Sequence, residues 1–265
     1  MGIFHGDTEI ASVQHGDTEI GSIYRGDSLI WEEAPEGIAA PPAGQGDTDA
    51  GYYGTVASAD FIAGDTLASN IGLTAGTAYN SDTPWLQFAW DEGIVMVPQK
   101  PFRHSISWDQ IHAEDAVYGD ASAPVVTING ADYKVRLMRG AGQMSVDTSA
   151  YNEVIGSENE WNKLMLPIHE RAPSSFIGAY GESEGYACGV YVNCPTEDWG
   201  IDFTDDVLLT HYDYGDGSRS WTQETDSTDS ASRVTRGHNG VSHLYTYDSD
   251  YTYYHYGWRP LLEKL

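Results

Sequence analysis

Six tyrosines lie within the twelve residues from Tyr245 to Tyr256. They alternate with Ser, Thr, Asp and one His, a mixture typical of binding surfaces, because a tyrosine ring offers a large amphipathic area while small polar side chains adapt their hydrogen bonds. Such rings suit stacking against sugars. The candidate ligand-binding residues are Tyr245, Tyr247, Asp248, Tyr251, Tyr253, Tyr254 and His255.

The same tyrosines are also compatible with a purely structural role. Side chains alternate between the two faces of a β-strand. A strand in this segment would therefore pack every second tyrosine into a core or against another subunit. The residues alone leave both interpretations open.

A second chemistry is indicated by carboxylates concentrated between Glu197 and Asp229, where Arg219 is the only basic residue among the notable acids Asp202, Asp205, Asp206, Asp213 and Asp216. Carboxylates and turn carbonyls are the ligands that calcium prefers, and the best local candidate is Tyr212 to Gly217. No spacing matches a twelve-residue calcium loop. Turn capping and solvated charge are the alternative, so no cofactor is predicted beyond this calcium candidate.

Catalytic signatures are absent from the sequence. The nine histidines form no HExxH arrangement, and no nucleophile elbow, phosphate loop or dinucleotide fingerprint occurs. His169-Glu170 and His211 lie near acidic residues, as in enzymes that cleave glycans with paired carboxylates. With forty acidic residues such a pairing carries no information, and we predict that the chain is not an enzyme.

Composition excludes several classes of partner. The formal charge of −27 repels nucleic acid and anionic lipid. No apolar stretch approaches the length of a membrane helix, and Met1 to Ile10 lacks the features of a signal peptide. Cys188 and Cys194 are the only cysteines, and either a local bridge or two buried thiols fits them. We therefore expect no nucleic-acid binding and no membrane insertion.

A ten-residue repeat opens the sequence, with Gly6-Asp7, Gly16-Asp17 and Gly26-Asp27 at the same place in each copy. Each copy predicts a Gly-Asp turn flanked by short strands. One copy cannot bury its own apolar face, so we predict that residues 1–31 form an attachment arm that stacks on a neighbour. The tripeptide Arg25-Gly26-Asp27 belongs to this turn repeat. Residues 32–50, rich in Gly and Pro, predict a linker.

Residues 51–155 predict a β-rich spacer domain with strands at 85–90, 94–97 and 125–128. Asn129-Gly130, followed by a strand over 133–137, predicts a hairpin. Brief helices are expected within 108–116 and within 159–170. Residues 156–265 predict a second domain with few long strands, in which loops dominate and present a surface.

Several segments resemble phage tail-fibre-like and virion structural proteins: Tyr24 to Trp31, Phe102 to Trp108, Tyr133 to Leu137, Ser157 to Met165, Arg233 to Gly237 and Gly257 to Pro260. The last two are similar to the end of the C-type lectin fold shared by formylglycine-generating-type domains and phage receptor-binding variable proteins. That resemblance implies a final strand that closes the domain and preceding loops that face the ligand. It places Tyr245 to Tyr256 among the ligand-facing residues.

The sequence departs from the enzyme relatives in two places. His238-Asn239 stands where they continue with Gly-Ser-Trp, and Cys188 and Cys194 are not embedded in their copper-binding motif. The resemblance therefore implies no catalytic activity.

The expected fold class is mainly β with minor α: an N-terminal β-hairpin repeat arm, a small β domain, and a C-type-lectin-like α+β domain over 156–265. The resemblance implies a virion protein assembled in the host cytoplasm, bound to other virion proteins through residues 1–31. We expect a tail-fibre or receptor-binding component that attaches to a host-surface glycan or protein, and a homo-oligomer, because virion parts form rings. The alternative is a non-adhesive head fibre, capsid decoration or collar protein.

Overall fold

β-Strands make up most of the regular structure of the chain, which divides into two units, Met1–Ala40 and Pro41–Leu265. The computed structural model describes the strands of the first 32 residues, then residues 45–46, 49–91, 93–146, 159–170, 172, 197–209, 217–237 and 240–265. The expectation of a mainly β chain with few helices is confirmed.

The first unit contains three short antiparallel strand pairs, one for each copy of the ten-residue repeat: β1 (Phe4–His5) with β2 (Thr8–Glu9), β3 (Val13–His15) with β4 (Thr18–Ile20), and β5 (Ser22–Arg25) with β6 (Ser28–Glu32). The strand positions therefore follow the repeat of the sequence. The Gly-Asp pairs between the strands lie outside the described residues.

The second unit is built from two sheets. Its strands are β7 (Ala50–Val56), β8 (Thr77–Ala78), β9 (Trp85–Trp90), β10 (Gly93–Pro98), β11 (Arg103–His104), β12 (Val125–Ile128), β13 (Ala131–Leu137), β14 (Ser145–Val146), β15 (Arg219–Asp226), β16 (Ser232–Gly237), β17 (Leu244–Asp248), β18 (Tyr256–Trp258) and β19 (Pro260–Lys264). One sheet has the order β12-β13-β19-β10-β9-β7. The other has the order β17-β16-β15-β18-β11-β8, with β14 beside β15.

Short helical segments connect these strands: a 3-10 turn (Ser58–Asp60), α1 (Gly64–Asn70), α2 (Trp108–His112), a π-helical turn (Trp161–Met165) and α3 (Asp205–Leu208). Both helices expected from the sequence are present and shorter than predicted. The start of α2 has a local cause, because the Ser107 hydroxyl accepts from the Gln110 amide while the Gln110 side chain accepts from the Ser107 amide.

The last strand joins the two halves of the sequence. β19 lies between β10 and β13, with Leu262 opposite both Met96 and Val135. The predicted boundary after residue 155 therefore separates residues that share one sheet. Residues 41–265 form one compact unit where two domains were predicted.

The central strands of the six-stranded sheet carry buried residues on both faces. Along β19, Leu262 points into a core that also contains Trp221 and Trp258 of the other sheet. The preceding residue, Leu261, points into a second core with Trp161 and Trp199. Because neighbouring residues of a strand face opposite ways, one continuous sheet supplies both cores.

Polar side chains fill much of β15, the longest of the described strands after residue 156. Every residue of β15 except Thr225 is buried. Neighbouring elements satisfy several of these polar groups: the Thr222 hydroxyl donates to the Val234 carbonyl, and the Gln223 amide donates to the Leu137 carbonyl. A strand that is buried in this way shows no alternation of apolar and polar residues in the sequence.

The hairpin predicted at Asn129-Gly130 is confirmed. β12 and β13 pair antiparallel, with Ile128 opposite Ala131 across the turn. Both turn residues have positive φ, 51° at Asn129 and 85° at Gly130, as a two-residue hairpin turn requires.

Replacing Gly130 by Val is expected to lower the free energy of unfolding by about 1–2 kcal/mol, because a branched side chain strains a left-handed backbone. A Cβ added at Gly130 would meet no atom within 4 Å, so backbone strain is the only cost. Thermal and urea denaturation measure the change. Gly93→Val is the matched control, since a Cβ there meets only the Trp90 carbonyl oxygen at 3.5 Å. Equal losses of stability in both variants would contradict the conclusion that the positive φ of Gly130 causes the loss.

Candidate functional site

The predicted ligand-binding tyrosines lie at one edge of the seven-stranded sheet. Tyr245 and Tyr247 belong to β17, the edge strand, and their alternation puts both side chains on one face. Tyr251 and Tyr253 follow in the loop that leads to β18. Tyr256 of the same segment is buried, so the six tyrosines divide into one buried ring and five that are at least partly exposed.

Four of these tyrosines form a continuous row, which we call the tyrosine stripe: Tyr245, Tyr247, Tyr251 and Tyr253. Consecutive ring centroids are 5.0, 5.6 and 6.0 Å apart. Tyr245, Tyr251 and Tyr253 are 42%, 42% and 48% exposed. The stripe therefore presents several aromatic rings to solvent along one path.

The other predicted site residues lie beside the stripe. Tyr254 is half-buried, with its ring centroid 4.3 Å from that of Tyr253 and 3.9 Å from that of His255. His255 itself is buried, so it supports these rings and presents little surface of its own. Asp248 is exposed at the end of β17, where it accepts a hydrogen bond of 3.4 Å from the Ser232 hydroxyl.

Arg219 lies beneath the stripe, and sequence reasoning did not assign it to the site. Its guanidinium carbon is 5.3 Å from the ring centroid of Tyr245, 4.6 Å from that of Tyr247 and 5.4 Å from that of Tyr256. It also donates to the Tyr256 hydroxyl at 2.9 Å. The one available signal was its position as a lone basic residue in an acidic segment.

The Arg219 charge changes the acidity of a stripe tyrosine. Burial raises the pKa of the Tyr247 phenol, but hydrogen bonds with Tyr256 and Arg219 and the positive charge of Arg219 outweigh it, so that this pKa lies below its ordinary value. Burial raises the pKa of Tyr256. Tyr247 is therefore the more acidic of the two phenols.

A carboxyl group on β15, the strand that also carries Arg219, is fully buried. Glu224 accepts from the Gly140 amide at 3.1 and 3.0 Å, and the Gly140 carbonyl accepts from Arg236 at 2.6 Å. Burial raises the pKa of Glu224 to about 7, against hydrogen bonds that lower it. Glu224 has no exposed surface, so this raised pKa belongs to the core and not to an accessible acid.

Glu224 makes stability depend on pH. Because its pKa in the folded chain is raised from 4.5 to about 7, the folded state binds this proton more tightly than the unfolded state. Its contribution is complete below about pH 4.5 and is lost as the pH rises through about 7. In Glu224→Gln we expect this pH-dependent loss in the free energy of unfolding, on the order of 3 kcal/mol, to disappear.

Urea denaturation between about pH 4 and 8 measures this effect. Asp82→Asn is the control, because it removes an exposed carboxylate and should leave the pH profile nearly unchanged. A Glu224→Gln profile that parallels the parent would show that this carboxyl group does not titrate in the window.

The acidic segment contributes structure where it is described. Asp205 is buried, accepts from the Val241 amide at 2.8 Å and lies 3.2 Å from His169 Nε2. Among the residues that the structure describes, no three His, Cys, Asp or Glu side chains are placed to hold a metal ion. The calcium candidate up to residue 216, His211, Cys188 and Cys194 lie outside the described residues, and the calcium site stays a prediction.

No protein-family model, curated protein or solved structure matches the chain. None of the described helices is long and apolar enough to cross a membrane. The candidate site therefore rests on its own geometry, a row of exposed tyrosines above a buried arginine.

Proposed function

We propose that the chain is a structural protein of a tailed-phage virion that attaches the particle to the host surface by binding a glycan at the tyrosine stripe. The exposure of Tyr245, Tyr251 and Tyr253 carries this proposal. A surface on which several large rings are exposed together is more often a binding site for a partner than an ordinary solvated surface. Tyrosine supplies both a stacking face and a hydroxyl for a sugar.

The arm has a separate role in this proposal. Residues 1–31 bind other virion proteins, and the three strand pairs of the first unit are repeat hairpins that stack on that partner. Two-stranded hairpins are marginal alone in water, which favours such docking. We further propose a homo-oligomer located in the virion and assembled in the host cytoplasm.

We also propose a C-type-lectin-like fold for this chain. This fold would cover more residues than the range 156–265 that the sequence indicated. A C-type-lectin-like frame would include the whole unit from residue 41, since β19 pairs with β10 on one side and with β13 on the other. In such a frame the final strand closes the fold, while the segment before it carries the ligand surface. No catalytic step is part of this role.

The test is adsorption of phage particles that carry Tyr251→Ala or Tyr253→Ala. We expect normal assembly and a loss of receptor affinity of about five- to thirtyfold per substitution, as for anchor residues of an interface. Tyr79→Ala is the matched control, because Tyr79 is 39% exposed and outside the stripe.

Three outcomes would contradict this function. Loss of assembly with each stripe variant would support the non-adhesive alternative, a head fibre, capsid decoration or collar protein in which the tyrosines pack between subunits. Unchanged adsorption with normal assembly would remove the stripe from receptor binding. Release of oligosaccharide from host envelope material would show an enzyme.

A further inference from the structure

We propose that the ligand of the tyrosine stripe is an uncharged polysaccharide chain, bound over several consecutive sugar units. This inference rests on the proposed function and adds the charge and the length of the ligand. Its basis is the path of the rings, the engagement of nearby cations and the position of the exposed carboxylates.

The rings follow a path that suits a chain. Within the stripe, all of whose residues are described, Tyr245 contacts Tyr247, Tyr247 contacts Tyr251, and Tyr251 contacts Tyr253. The angles between consecutive ring planes are 34°, 16° and 34°, so neighbouring rings have similar orientations. The same kind of ring-to-ring contact repeats three times along the stripe, which suits a ligand built from repeating units better than a single terminal sugar.

The arginines near the stripe are already engaged by the protein. Arg219 is only 6% exposed, lies under Tyr245 and Tyr247, and donates to the Tyr256 hydroxyl. Arg233 pairs with Tyr247 across the strands, but its guanidinium carbon is 4.4 Å from the Trp108 ring centroid. Arg233 is partly exposed, but its Nη1 donates to the carbonyls of Ser230 and Ser232. Both guanidinium groups are therefore engaged by the protein before any ligand carboxylate, sulfate or phosphate could bind them.

Exposed carboxylates flank the stripe instead. Asp248 and Asp250 are both exposed at the turn between Tyr247 and Tyr251. They repel anionic glycans, as does the net charge of −27, while carboxylate oxygens accept hydrogen bonds from neutral sugar hydroxyls. The local charge thus favours an uncharged glycan over an acidic one.

The experiment uses the full-length protein on a glycan array that pairs neutral oligosaccharides, from di- to hexasaccharides, with carboxylated and sulfated counterparts. We expect binding to neutral glycans only, with affinity rising about two- to tenfold for each further ring engaged. Binding should be insensitive to salt, because no ion pair forms.

Variants separate this inference from the proposed function. Tyr253→Ala removes the ring at one end, so it should weaken binding of the longer oligosaccharides and leave the disaccharide nearly unchanged. Tyr79→Ala should change neither. The inference is overturned by preference for acidic glycans, by equal affinity for disaccharide and hexasaccharide, by strong salt dependence, or by no glycan binding. If adsorption still depends on Tyr251 in those cases, attachment stands and only the ligand class fails.

Discussion

Glu160→Ala is expected to lower the free energy of unfolding by about 3–5 kcal/mol, because it leaves a buried arginine without its buried carboxylate partner. Glu160 accepts from Arg136 through both terminal nitrogens, at 2.8 and 2.7 Å, and from the Arg139 amide at 2.7 Å. The Arg136 and Glu160 side chains are only 8% and 3% exposed. Urea denaturation at neutral pH measures the loss.

The outer contact of the same arginine supplies the control. Arg136 Nε also donates to Glu263 at 2.9 Å, but the Glu263 side chain is 39% exposed. Water solvates this carboxylate and weakens the pair, so Glu263→Gln should cost less than about 1 kcal/mol. Similar losses for the two variants would mean that burial does not determine the strength of this ion pair.

Trp161→Ala is the second large effect, a loss of about 3–5 kcal/mol in the free energy of unfolding. Trp161 is fully buried, and its indole donates to the Val241 carbonyl at 2.7 Å. The guanidinium carbons of Arg236 and Arg259 lie 5.5 and 5.4 Å from its ring centroid. The substitution therefore removes packing, a hydrogen bond and two cation–π contacts together.

The shape of the unfolding curve tests whether the second unit unfolds as a single cooperative domain. Trp161 shares a core with residues from Tyr52 to Leu261, so the parent and Trp161→Ala should each unfold this unit in a single transition. Trp90→Ala is the control at the border of the same core, where the ring is only partly buried and the loss should be about half or less. A separate early transition in Trp161→Ala would favour two domains.

Local signals in the sequence predicted local structure well. Asn129-Gly130 predicts its hairpin because only a few residue pairs accept positive φ at both positions. Likewise α2 follows from a short apolar and polar pattern, and its start at Trp108 is set by the neighbouring Ser107. The tyrosine-rich segment was found by composition, since binding surfaces and solvent-facing strands both enrich this residue type.

Non-local pairing determines what the sequence could not predict. Arg219 comes under the tyrosines because β15 and β18 pair in parallel, with Arg219 opposite Tyr256. Nothing in the local pattern of Arg219 indicates a partner thirty-seven positions later. The single unit over 41–265 was missed for the same reason. The change of composition near residue 156 is visible in the sequence, but the pairing of β19 with β10 and β13, which both precede that position, is not.

The central position of β19 also has a consequence for synthesis. Gly93–Pro98 and Ala131–Leu137 leave the ribosome long before Pro260–Lys264, the strand that lies between them. Until then both strands carry unpaired backbone edges, which are templates for pairing with other chains. The sheet is completed only after translation of the unit. A product truncated before Pro260 lacks the strand that joins the two halves of the sheet, so β10 and β13 keep those edges unpaired.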